Sequence, residues 1–100
     1  MAQAAAASGR ELVVMGGEGS AAGMDMVRTG KITAGAGNPL SWEAYAAIDN
    51  LNRLFHDEET VGSGIGMQLF DKEHNTPASG EYKPPFDYVA VYEKAWGVGG

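Results

Sequence analysis

Glu11-Leu12-Val13-Val14-Met15 is an apolar, partly β-branched run that stops at Gly16-Gly17-Glu18-Gly19-Ser20. A run this short, apolar at consecutive rather than alternate positions, suits a strand covered on both faces, as in a parallel sheet. The glycines after it read as a tight turn, and Ser20 as the cap of a helix through Met24, Val27 and Arg28. Gly30 then supplies the left-handed position at that helix's end. Strand, glycine turn and helix in this order restrict the chain to architectures in which helices lie against a sheet.

The pattern then recurs. Lys31-Ile32-Thr33-Ala34-Gly35 reads as a second strand and Ala36-Gly37 as its turn. Asn38 reads as an N-cap, with Pro39 at the first helical position, where a missing N–H costs nothing. A helix is predicted from Pro39 to His56, with Ala44, Ile48, Leu51 and Phe55, flanked by Ala47 and Leu54, as the stripe that packs on the sheet. Asp49 and Arg53 stand one turn apart, acid first, the orientation of a surface pair that contributes about 0.3–0.5 kcal/mol.

Asp57-Glu58-Glu59 reads as a solvated turn. From Val61 the chain becomes extended, with Ile65, Met67 and Leu69 on one face. A polar stretch from Asp71 to Glu81 follows, and then the Pro84-Pro85 breaker. A last helix starts near Asp87, carries Val89, Tyr92 and Trp96, and ends at Gly97. The expected fold class is α/β, a parallel-sheet layer with flanking helices, formed by residues 1–100 as a single partial domain.

Composition narrows the function. The net charge of −6 and the scattered basic residues exclude a cationic footprint for nucleic acid or anionic lipid. The absence of cysteine excludes thiolate metal sites and a cysteine nucleophile. No apolar run approaches the ~20 residues that span a bilayer. The alanine-rich start, Met1 to Ala7, reads as a short helix closed by Gly9. It lacks the basic region and the apolar stretch of about 7–15 residues that make a secretory signal. His56 and His74 have no paired-ligand spacing, and no serine sits in a GxSxG elbow. No enzyme and no cofactor is expected.

Ligands of open parallel sheets bind beyond the carboxyl ends of the strands, and Glu18 and Asn38 follow the first and second strands. A carboxylate on such a rim can accept hydrogen bonds from two hydroxyls of a vicinal diol, each contributing about 1.5–3 kcal/mol when water is excluded. Glu18 can equally cap the next helix or remain solvated. Trp42, in the first turn of the long helix, can cover the apolar face of a pyranose or belong to the core. Gly17-Glu18-Gly19 continues to Gly23 as GxGxxxG rather than the dinucleotide-binding GxGxxG, and the acidic partner expected further on is missing.

In order along the chain, several segments resemble the type I periplasmic sugar-binding proteins of bacterial ABC transporters. They are Gly9 to Ser20, Met24 to Ile32, Pro39 to Trp42, Ala46-Ala47, Asp49 to Leu54, Gly64-Ile65-Gly66, His74-Asn75, Pro84 to Tyr88, Tyr92 and Trp96-Gly97. The resemblance implies the distal part of the C-terminal lobe of a periplasmic-binding-protein-like fold, preceded in the whole protein by an N-terminal lobe. It implies a monosaccharide or polyol as ligand and an ABC permease as partner.

Glu18 falls where members place an aspartate that holds sugar hydroxyls. Gly37 falls where many carry a polar side chain, so that Asn38 takes over that contact. Glu18, Asn38, Gly37 and Trp42 are the expected substrate-binding positions. The family is periplasmic or extracellular, whereas this chain as it stands, without a signal peptide, is expected in the cytoplasm and can oligomerise when expressed alone. The alternatives are part of the ligand-sensing domain of a sugar-responsive transcription regulator, which shares this fold, and a small nucleotide-binding enzyme using the Gly17-Glu18-Gly19 turn.

Overall fold

The computed structural model describes residues 1–99, which form two compact units. The first comprises Met1–Asn38 and Met67–Lys83, and the second Pro39–Gly66 with the chain from Pro84 on. No helix is long and apolar enough to cross a membrane among the described residues.

The first unit holds helix α1 (Ala2–Ala7), strand β1 (Met15–Glu18), helix α2 (Ala21–Arg28), strand β2 (Ala34–Gly37) and strand β3 (Gln68–Asp71). Its sheet has the order β1-β2-β3. β1 and β2 are parallel, with Met15 beside Ala34 and Glu18 beside Gly37. β3 runs antiparallel to β2, pairing Asp71 with Ala34 and Gln68 with Gly37. The sheet is therefore mixed, and the expectation of an all-parallel layer holds for its first two strands only.

Both parallel strands lie about three residues later than their β-branched runs, and Gly16, Gly17 and Gly37, read as turn residues, are strand residues, while Gly19 stays in the turn. Close packing explains the shift. A Cβ on Gly16 would stand 2.6 Å from the Ile32 side chain, and one on Gly35 would stand 2.4 Å from the Phe70 ring. Glycine strands let Val14, Ile32, Met24, Val27, Phe70 and Tyr82 close into the core of this unit. Met67 and Leu69, read as lying on one face, are both exposed, and it is Phe70 that β3 buries.

The caps of α2 match their residues. The Gly23 N–H donates to the Ser20 hydroxyl oxygen at 3.2 Å, and Gly30 is left-handed at φ 76°. Arg28 then ties the segment before Tyr82 to this helix. Its Nε donates to the Pro77 carbonyl at 2.9 Å and its Nη2 to the Gly80 carbonyl at 2.8 Å.

The second unit consists of α3 (Leu40–Phe55), an extended segment and α4 (Tyr88–Trp96). Pro39, not Asn38, occupies the cap position of α3, and its carbonyl accepts the first helical bond from Glu43. The covered face of α3 is Trp42, Tyr45, Ala46 and Asp49, whereas Ile48, Leu51, Leu54 and Phe55 are exposed. The partner of that covered face is α4, through an aromatic array in which Tyr45 stacks on Trp96 at 5.6 Å with nearly parallel rings. Two faces of α3 have helical spacing, and aromatic pairing selects the less aliphatic one. α4 is capped as its sequence predicts, with the Ala90 N–H donating to Asp87 and Gly97 left-handed at φ 69°.

Candidate functional site

The rim at the carboxyl ends of β1 and β2 is built by Gly17, Glu18, Gly19, Gly37 and Asn38. Glu18 is the last residue of β1 and the register partner of Gly37. The Asn38 N–H donates to the Glu18 carbonyl at 3.1 Å, so the parallel pairing brings two distant sequence positions into direct contact. Glu18 is exposed, and Asn38 is partly buried.

The backbone at Glu18 is unusual. Its φ is 64°, Gly19 follows at 73°, and the Gly19 N–H reaches back to the Gly17 carbonyl at 2.8 Å. This three-residue turn places a carboxylate residue where glycine is the low-energy choice, and such a position costs on the order of 1 kcal/mol or more. Strained non-glycine residues concentrate where a side chain is used.

Tyr82 closes the inner side of the rim, and sequence reasoning missed it. It is only 4% exposed. Its N–H donates to the Gly19 carbonyl at 2.8 Å, and its hydroxyl donates to Gln68 Oε1 at 2.7 Å. A Cβ on Gly37 would meet the Tyr82 ring at 2.5 to 2.7 Å, and one on Gly19 would meet the Tyr82 Cβ at 2.5 Å. Gly37 thus makes room for a buried ring, and burial pushes the phenol pKa of Tyr82 above its usual value. The available signal was a single aromatic side chain between the polar stretch that ends at Glu81 and Pro84-Pro85.

Trp42 belongs to the second unit. Its indole is 7% exposed, with Tyr88 stacked at 6.0 Å and Phe86 edge-on at 4.5 Å. The indole is already engaged by aromatic neighbours. Glu18, Gly37 and Asn38 are brought together in one unit, and Trp42 lies in the other.

No group of three or more histidine, aspartate or glutamate side chains is placed to hold a metal ion among the described residues. His74 is instead paired with Asp71 Oδ1 at 2.9 Å, in a turn where the same oxygen accepts the N–H groups of Glu73 and His74. No protein-family model, curated protein or solved structure matches this chain.

Proposed function

We propose that this chain is the sugar- or polyol-holding rim of the C-terminal lobe of a solute-binding protein that serves an ABC importer. One observation carries the reading: Glu18 and Asn38 stand in hydrogen-bonded contact at the carboxyl ends of adjacent parallel strands. Open sheets bind ligands at such ends. The exposed carboxylate accepts hydrogen bonds from vicinal hydroxyls, and the Asn38 amide both donates and accepts. Gly37 contributes backbone and space for Tyr82 rather than a side-chain contact, and the engaged indole of Trp42 leaves it out of the contact set. The role is binding without catalysis.

A rim open to water shares its hydroxyl partners with solvent, so affinity for the chain alone is on the order of millimolar. Backbone amide shifts recorded during titration with pentoses, hexoses and acyclic polyols test this. Residues 16–20 and 36–38 shift with at least one of these ligands, and in Glu18→Gly they do not. That variant keeps the backbone turn, so its silence reports the carboxylate. Unmoved amides at about 100 mM of every ligand, or equal shifts in Glu18→Gly, rule the reading out.

A further inference from the structure

Helix α1 rests on the first unit through Ala2 and Ala5, which pack against the core. Alanine reaches only one carbon beyond the backbone, and two open cavities remain beside this helix. One, of about 470 Å³, takes in Ala6, Arg10, Glu11, Leu12 and Lys31. The other, of about 390 Å³, takes in Met15, Gly16, Gly17, Gly23 and Ile32. Ala2, Gln3, Val14 and Met26 line both, so the two form one groove. Neither includes Glu18, Gly37 or Asn38.

The groove is chemically polarised. Its charged side chains, Arg10, Glu11 and Lys31, all belong to the first cavity, and the side chains that only the second contributes are apolar. All three charged residues are exposed, and none of them enters an ion pair among the described residues. Two cations and one carboxylate leave one positive charge at that end, on a chain whose net charge is −6. A monoanion matches that balance, whereas a dianion would stay partly uncompensated.

We propose that this groove binds a single-chain amphiphile with a carboxylate head, of the fatty-acid class. The head meets Arg10 and Lys31, whose N–H groups donate charge-assisted hydrogen bonds to a carboxylate. The tail runs along Val14 and Met26 toward Met15 and Ile32, and the unbranched methionine side chains adapt to an alkyl chain. The first cavity alone lies within the range of about 300–1,000 Å³ over which proteins enclose small ligands.

Backbone amide shifts of the full chain, titrated at neutral pH with butyrate, octanoate and decanoate, read the binding. Decanoate shifts residues 10–15, 26, 31 and 32 with a Kd on the order of 100 µM. The Kd falls about two- to fourfold for each methylene that the groove covers. Replacing both cations, Arg10→Ala with Lys31→Ala, weakens decanoate binding about tenfold or more. Ala6→Glu, at an exposed position of α1, adds a carboxylate to the first cavity and weakens it likewise. Decyltrimethylammonium, a tail of the same length on a cationic head, leaves these amides in place. Unmoved amides with decanoate, equal affinity for butyrate, or the same shifts with decyltrimethylammonium overturn the proposal. So does undiminished decanoate binding in the folded double variant. Should that variant fail to fold, Ala6→Glu decides.

Discussion

The Trp96 indole N–H donates to Asp49 Oδ1 at 2.8 Å across the α3–α4 interface, while Arg53 Nε donates to Oδ2 of the same carboxylate at 2.9 Å. Asp49 is 8% exposed and carries both bonds. The ion pair expected between Asp49 and Arg53 forms, and the same carboxylate, largely buried rather than on the surface, also joins the two helices.

Those bonds, first from Trp96 and then from Arg53, hold the Asp49 carboxyl below its usual pKa. A depressed folded pKa contributes stability that is present above the unfolded value, near 3.8, and is lost as pH falls through the lower folded value. The near-ultraviolet signal of Tyr45 and Trp96 therefore weakens below about pH 4. Asp49→Ala leaves the indole N–H without its partner and costs about 2 kcal/mol. Asp49→Asn retains an acceptor, costs less, and removes that acid-sensitive component. Identical acid titrations for wild type and Asp49→Asn contradict this assignment.

Glu18→Gly relieves a left-handed backbone at φ 64° and raises stability by about 1 kcal/mol. Glu18→Ala retains the strain and gives no such gain. Thermal melts of the two variants measure the difference, and a less stable Glu18→Gly shows that the side chain itself supports the turn.

Gly37→Ala drives a methyl group into the Tyr82 ring, whose nearest atoms lie 2.5 to 2.7 Å from the new position. Overpacking of this kind costs about 1–3 kcal/mol. In a Tyr82→Ala background the same substitution costs much less, and the double-mutant cycle gives the coupling. Additive costs show that the two positions do not meet.

Asp71 and His74 titrate against each other in the turn after β3. The side-chain bond to Asp71 raises the His74 pKa, so this contribution is present below the ordinary value near 6.5 and is lost as pH rises through the higher folded value. Backbone bonding from Glu73, followed by the His74 side chain, lowers the Asp71 pKa, so its contribution fades only in acid. Amide exchange at residues 73 and 74 is slowest between these limits and speeds up above neutrality, after correction for intrinsic rates. Asp71→Asn abolishes the raised His74 midpoint in an NMR titration.

Much of the local structure is legible from single residues. Ser20, Gly30, Asp87 and Gly97 mark helix ends because capping is local chemistry, decided by a side chain within a few residues of the backbone group it satisfies. Asn38 follows β2 as its sequence position suggests, whereas Glu18 is itself the last residue of β1. Strand boundaries are not legible in this way: Gly16, Gly17, Ala36 and Gly37 have weak intrinsic strand preference and enter the sheet through what packs over them.

Neighbours along the chain suffice to specify the turn at Glu18 and the capped ends of α2 and α4. The folded chain as a whole is what places Tyr82 over Gly37, returns β3 antiparallel, and covers the aromatic face of α3 rather than its leucines. Each of those outcomes depends on contacts between residues far apart in sequence, where shape and hydrogen-bond partners select among faces that hydrophobic periodicity leaves equivalent.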